Sequence, residues 1–181
     1  MSMLIASDVH GSLDAARALS ARVAAHGVER VVLLGDLLYH GPRNPLPPSY
    51  DPAATARELN RNAAITWAVR GNCDSEVDDW MLEFDCAVDH RRFTVGGVRF
   101  EASHGHRPGF TPDDLAGVLP GSVLLYGHTH VKTLERRGGI VLANPGSTTF
   151  PKDDGPGYLL FSNGTLTLYS LDGIALRSLR P

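Results

Sequence analysis

The stretch Met3-Leu4-Ile5-Ala6-Ser7-Asp8-Val9-His10-Gly11-Ser12 is a short apolar run that breaks into polar residues beside glycine. A brief apolar run bounded by turn formers reads as a strand buried on both faces, the kind that fills a parallel sheet. Ser12 is placed to cap a helix. Leu13, Ala16, Leu19 and Val23 follow at helical spacing, and Gly27 supplies the stop. Val31-Val32-Leu33-Leu34 is a second apolar run and ends in Gly35-Asp36. Strand, helix, strand is the opening of an α/β protein with a parallel sheet at its core.

Further along, residues 37–50 hold Pro42, Pro45, Pro47 and Pro48 and read as a long surface loop. Asp51-Pro52 begins a helix to about residue 62, and Ile65 to Val69 is a strand that ends in Arg70-Gly71-Asn72-Cys73-Asp74. A short helix capped by Ser75 follows. Arg92–Val95 and Val98–Ala102 form a hairpin about Gly96-Gly97, ending in Ser103-His104-Gly105-His106. Thr111-Pro112-Asp113-Asp114 predicts a helix to about Leu119. Val123–Tyr126 is a strand running into Gly127-His128-Thr129-His130, and the strands 140–143, 158–162, 165–170 and 175–179 close the chain. The length of 181 residues suits one domain spanning 1–181, and no linker divides it.

Composition narrows the function. Seventeen basic against twenty acidic residues, a formal charge of −3, argue against a dedicated nucleic-acid binder. No apolar run is long enough for a membrane span, and the first residues lack the pattern of a secretory signal. Two cysteines, Cys73 and Cys86, fit a reducing, cytoplasmic setting rather than a disulfide framework. Histidine is the unusual component, because five of the eight stand at 10, 104, 106, 128 and 130.

Those histidines belong to a repeated pattern. Five times a short strand ends in a polar group beside glycine: Asp8 with His10, Asp36, Asn72, His104 with His106, and His128 with His130. In α/β sheets ligands bind outside the carboxyl ends of strands, so the five clusters have a reason to share one rim. Extended i,i+2 pairs point the same way, which would let Asp8 and His10, or His128 and His130, reach one site. Eight such groups exceed the needs of one tetrahedral zinc and suit two ions about 3.5–4 Å apart sharing a carboxylate bridge. The mixed nitrogen and oxygen donors, with no convincing thiolate, point to Mn²⁺, Fe, Co²⁺ or Zn²⁺ rather than Ca²⁺ or Cu⁺.

The ordered series Asp8-x-His10, Gly35-Asp36, Gly71-Asn72, His104 and Gly127-His128-Thr129-His130 resembles the calcineurin-like metallophosphoesterase superfamily. Residues 40–44, 70–78 and 126–130 are most similar to its small YfcE-type bacterial phosphodiesterases, and Asn144-Pro145-Gly146-Ser147 extends the match. The resemblance implies a four-layer αββα sandwich: two mixed β-sheets face to face, flanked by helices. It implies that Asp8, His10 and His130 hold one metal, that Asn72, His104 and His128 hold a second, and that Asp36 bridges them. The implied reaction is hydrolysis of a small phosphodiester by a hydroxide bridging two divalent ions. A nucleic-acid fragment is among the diesters that would fit, and a homo-oligomer is compatible with the exposed proline loop. The alternatives are a phosphomonoesterase on the same site and a non-catalytic interaction scaffold of the same fold.

Charge arithmetic leans toward diesters. The ions' positive charge, less Asp8, Asp36 and a hydroxide, leaves one positive charge for a diester anion to neutralise, unless Arg43 or Arg70 adds to the sum. Many relatives carry His where this chain has Cys73, a residue that either packs or lines the site. His106 then becomes a candidate proton donor to the leaving group, or else a supporting histidine. Arg43 and Asn44 are candidate phosphate contacts. Asp74 either orients a neighbouring ligand or caps the following helix.

Overall fold

A computed structural model describes residues 1–181. The chain runs β1 (Met3–Ala6), α1 (Leu13–His26), β2 (Arg30–Leu33), α2 (Pro52–Asn60), β3 (Thr66–Ala68) and α3 (Glu76–Met81). It continues with β4 (His90–Val95), β5 (Val98–Ser103), β6 (Val123–Leu125), β7 (Thr133–Arg137) and β8 (Ile140–Asn144). β9 (Gly157–Ser162), β10 (Thr165–Ser170) and β11 (Ala175–Leu179) complete it. One sheet has the order β11-β10-β9-β1-β2-β3 and the other β4-β5-β6-β8-β7. Both are mixed: β1, β2 and β3 are parallel while β9 joins β1 antiparallel, and β5, β6 and β8 are parallel between two antiparallel edges.

The continuous apolar run of β1 is explained by its two faces. Leu4 and Ala6 pack with Ala16, Leu19 and Val23 of α1 and with Leu59 of α2. Met3 and Ile5 point into the core between the sheets, against Phe100, Val123, Leu125, Val141 and Phe161. Burying both alternating sets is what makes a half-polar pattern unnecessary in a central parallel strand.

The local signals work largely as read. The Ser12 hydroxyl accepts from the Ala15 N–H at 3.3 Å, and Gly27 closes α1 in the left-handed conformation at φ 56°. The Asp51 carboxylate accepts from the Ala54 N–H at 2.9 Å to start α2. Gly96-Gly97 and Asn163-Gly164 both have consecutive positive φ, as tight hairpins require.

One element does not form. The helix expected from Thr111 to Leu119 is a looped segment with isolated turns. Thr111 Oγ1 does accept from the Asp114 N–H at 2.9 Å, but the Asp114 carboxylate reaches back to the Gly109 N–H at 2.7 Å, and the Gly117 N–H binds the Gly109 carbonyl at 3.1 Å. The segment closes on itself between glycines instead of propagating. Its Val118, with Phe110 and Leu115, covers Leu124, Tyr126 and Leu142 on the outer face of the second sheet. The two mixed sheets therefore pack as expected, with helices outside the first sheet and this segment outside the second.

Candidate metal centre

Each strand that carries a candidate ligand stops just short of it. β1 ends at Ala6 before Asp8 and His10, and β6 ends at Leu125 before His128 and His130. Asp8, His10, Asp36, His128 and His130 all have positive φ, between 49° and 63°, and the only other non-glycine residue to do so is the hairpin residue Asn163. The pairs are therefore not extended. The left-handed turn at each ligand, rather than strand alternation, directs the side chains together. Such backbone is costly for residues with a Cβ and persists where surrounding contacts fix it.

Those contacts are visible. The Ser147 hydroxyl donates to the Asp8 carbonyl at 2.8 Å, and the Thr149 hydroxyl to the Val9 carbonyl at 2.7 Å. Asn144 Nδ2 donates to the Gly127 carbonyl at 2.9 Å, so the Asn144–Ser147 turn braces both ligand loops. Asp74 accepts from the N–H groups of Asp36, Leu37 and Gly71 at 2.9, 2.7 and 2.7 Å. It orients the Asp36 loop, while the start of α3 is capped by Asp78, whose carboxylate accepts from the Ser75 N–H at 2.8 Å. Burial first, and the charge of Asp36, push the Asp74 carboxyl up to about 6, against the opposing N–H groups of Leu37 and Gly71. Gly127 is required by space: a Cβ there would stand 2.0 Å from Ser7 Oγ and 2.7 Å from Asp8 Oδ2.

The donor atoms converge. His130 Nε2 is 3.1 Å and His10 Nε2 3.7 Å from Asp8 Oδ1, and the two Nε2 atoms are 3.3 Å apart. On the other side His104 Nε2 is 3.0 Å from Asn72 Oδ1 and 3.4 Å from Asp36 Oδ2. Asp36 Oδ2 also faces His10 Nε2 at 3.8 Å, while Oδ1 accepts from the Cys73 N–H at 2.8 Å. Asp36 thus stands between the two groups through one oxygen. His128 lines the same cleft, its ring 5.2 Å from that of His104, and its N–H donates to Asp8 Oδ2 at 3.2 Å.

The histidine tautomers follow from their outer partners. Nδ1 of His10, His104 and His130 faces the carbonyls of Tyr39, Leu34 and Phe150 at 2.9, 2.6 and 2.8 Å. A carbonyl only accepts, so Nδ1 carries the hydrogen and a neutral ring turns the Nε2 lone pair inward. Around Asp8 the Nε2 lone pairs of His10 and His130 and the carboxylate then face one another with no donor between them, and buried Asp8 Oδ1 has no hydrogen-bond partner. That arrangement fits a cation. Burial lowers His10 and His128, keeping them neutral. Burial opposes charge on His104 as well, but Asp36 and Asp8 outweigh it and raise that imidazole to about 9. Against burial, His104 and the Cys73 N–H hold Asp36 well below the usual carboxylate range.

The cleft over these groups has a volume of about 500 Å³ and is lined by His10, Asp36, Asn72, Cys73, His128 and His130, together with the loop residues Arg43 and Asn44. Cys73 completes a third close group with His10 and Asp36, so it lines the site; burial and the neighbouring carboxylates push its thiol up to about 12, which makes it a poor nucleophile. Asn44 Nδ2 is turned to the His40 carbonyl at 2.8 Å. Arg70 is spent on Asp79, at 2.5 Å. His106 lies behind the cleft, its ring 5.3 Å from His104 and 6.0 Å from His128, and lines a separate cavity of about 210 Å³. The sequence reading missed Lys152, which also lines the cleft and whose N–H donates to the His130 carbonyl at 2.9 Å. The three remaining histidines are structural: His26 contacts the Tyr158 hydroxyl, His40 the loop carbonyl of Asn44, and His90 the carboxylate of Glu101.

The family model for the calcineurin-like phosphoesterase superfamily domain matches residues 1–165. Phosphodiesterase YfcE of Escherichia coli (strain K12) is 42% identical over 173 residues, covering 95% of this chain and 93% of the relative. The solved structure of that E. coli phosphoesterase superposes with a TM-score of 0.94 at 39% identity, covering 99% of both chains. Vps29 of Entamoeba histolytica shares the fold with a TM-score of 0.68 at 21% identity, over 99% of this chain and 98% of that one. Ligand order, site geometry and these matches agree: the chain belongs to the calcineurin-like phosphoesterase superfamily.

Proposed function

We propose that this protein is a metal-dependent phosphodiesterase acting on a small phosphodiester. The observation that carries the reading is the convergence of Nε2 of His10 and His130 on Asp8 Oδ1 with no donor between them, beside His104 and Asp36 in the same cluster. Asp8, His10 and His130 would hold one divalent ion and Asn72, His104 and His128 a second, with Asp36 shared between them. Mn²⁺ suits these donors, as do Fe, Co²⁺ and Zn²⁺. Two such ions, when bound, supply Lewis-acid charge for the phosphoryl oxygens and make hydroxide available between them near neutral pH.

The chain's own groups do the rest. Hydrolysis adds the oxygen of water to phosphorus and breaks one ester P–O bond, giving a phosphomonoester and an alcohol. The carbonyls of Tyr39, Leu34 and Phe150 fix the imidazole planes, so the ligands need no reorganisation as charge develops. Asn72 stands at the mouth of the cleft, where its amide can also contact a phosphoryl oxygen. Arg43 and Asn44 sit on the loop that borders substrate, and Cys73 forms part of the floor. His106, in the neighbouring cavity, would support proton delivery past His104 and His128.

A phosphomonoesterase is the second reading, and Lys152 favours it. With Arg43 it adds positive charge to the cleft, so a dianion is no longer excluded by the charge sum. The test is hydrolysis of bis-p-nitrophenyl phosphate against p-nitrophenyl phosphate by protein reconstituted with Mn²⁺. Faster cleavage of the diester, stopped by a chelator, is the expected result. Preference for the monoester selects the second reading, and no turnover of either by metal-loaded protein selects a non-catalytic scaffold.

A further inference from the structure

Arg43 and Lys152 share an unusual position among the basic residues. Both line the cleft, and neither has a carboxylate partner. Their neighbours explain why. Loop 37–50 contains no acidic residue at all, so Arg43 has nothing local to pair with. Lys152 is followed by Asp153 and Asp154, but both carboxylates are turned to Lys132 Nζ, each at 2.6 Å. Other basic residues near the site are spent: Arg70 on Asp79 and Arg107 on Asp89. Each free cation is also tied to the ligand set. The Arg43 loop lies against the site at Gly41, where a Cβ would stand 3.1 Å from Cys73 Sγ and 4.0 Å from the His10 ring. The backbone of Lys152 is bonded to that of His130.

Free cations facing a cleft of about 500 Å³ are more than one diester group needs. The metal cluster already balances one reacting phosphate. Two further cations, unpaired and wet, call for a further anion on the same molecule. We infer that the substrate is a phosphodiester carrying a second phosphate group, and that Arg43 and Lys152 are the specificity residues that bind it. The inference rests on the phosphodiesterase reading of the cleft but is tested separately from it.

The probes are product-like and are not turned over as diesters. A nucleoside 3′,5′-bisphosphate and the corresponding 5′-monophosphate are titrated into the Mn²⁺-loaded protein by calorimetry. The bisphosphate is expected to bind about tenfold more tightly, the size of one charge-assisted contact. K152Q and R43Q should each remove most of that preference, and K152R should keep it. Both positions are exposed, so the variants are expected to fold, and their thermal transitions verify this. Propane-1,3-diyl bisphosphate should keep the preference, because the contacts go to phosphate. Equal affinity for mono- and bisphosphate, an undiminished preference in both variants, or a preference confined to the nucleoside compound overturns the inference. Hydrolysis of bis-p-nitrophenyl phosphate by the same wild-type sample reports on the phosphodiesterase reading alone.

Discussion

His10 Nε2 and His130 Nε2 face each other at 3.3 Å while both rings spend their Nδ1 hydrogens on backbone carbonyls. Two neutral imidazoles cannot hydrogen-bond in that pose, and Asp8 Oδ1 beside them adds a further acceptor. A cation removes the repulsion, so metal binding is coupled to stability. At Mn²⁺ about a hundred times its Kd the native state gains about 2.7 kcal/mol. For a chain of this length that raises Tm by roughly 5–10 °C. Scanning calorimetry of chelator-stripped and Mn²⁺-loaded protein measures it, and coincident transitions would refute a metal centre here.

His128 is the ligand with the weakest geometric claim, since it meets the cluster through its ring stack on His104 and its backbone N–H. If it completes the second ion's ligands, H128A lowers kcat/KM for a diester by about 100-fold or more, beyond what loss of an outer partner causes. The side chain is only half-buried, so Tm of the stripped protein should hardly move. Unchanged activity would remove His128 from the second metal.

Asp74 holds the Asp36 loop through three backbone N–H groups. In D74N one oxygen becomes an NH₂ that points at those donors. Leaving buried donors unsatisfied costs about 1–3 kcal/mol. Tm of D74N should fall by roughly 3–10 °C, and its Mn²⁺ affinity by about tenfold, as for other groups that orient ligands. Thermal melts and metal titration test the two effects, and a wild-type metal affinity would show that Asp74 braces the loop without setting Asp36.

Gly127 offers a steric test of the same centre. In G127A the new methyl collides with Ser7 Oγ and Asp8 Oδ2, two atoms bonded to each other at 2.5 Å. Overpacking of this kind costs about 1–3 kcal/mol. Displacement of Asp8 should also cost diesterase activity far beyond the loss of stability, read as kcat at a temperature where the variant is fully folded. Full activity under those conditions would mean that Asp8 tolerates displacement.

These predictions depend on features of unequal visibility in the sequence. The strand-end clusters could be read because each follows a short apolar run and carries its own glycine, and all of them reach the same rim. The left-handed backbone at Asp8, His10, Asp36, His128 and His130 could not, because nothing in an Asp-x-His spacing distinguishes it from an extended pair. β7 escaped notice since only Leu134 of Thr133–Arg137 is fully buried, too little for a strand pattern. The failed helix at 111–119 had a genuine capping residue in Thr111, but the closure onto Gly109 is a tertiary choice. Lys152 sits in Lys-Asp-Asp-Gly, which reads as a solvated turn until Lys132 is seen to take both acids.

His106 distinguishes proton delivery from simple support. Its Nδ1 is buried without a partner, and its Nε2 accepts from Arg107 Nε at 3.3 Å. A group that protonates the leaving oxygen matters most when that oxygen is basic. H106A should therefore slow diphenyl phosphate, with its poorer leaving group, by about 100-fold or more, the usual range for a general acid. Bis-p-nitrophenyl phosphate, whose phenolate leaves unaided, should lose much less. The contrast is read from kcat/KM on the two diesters at one pH and one Mn²⁺ concentration. An equal loss on both would mean that His106 only steadies the rings of His104 and His128, since misplacing those ligands slows every substrate alike.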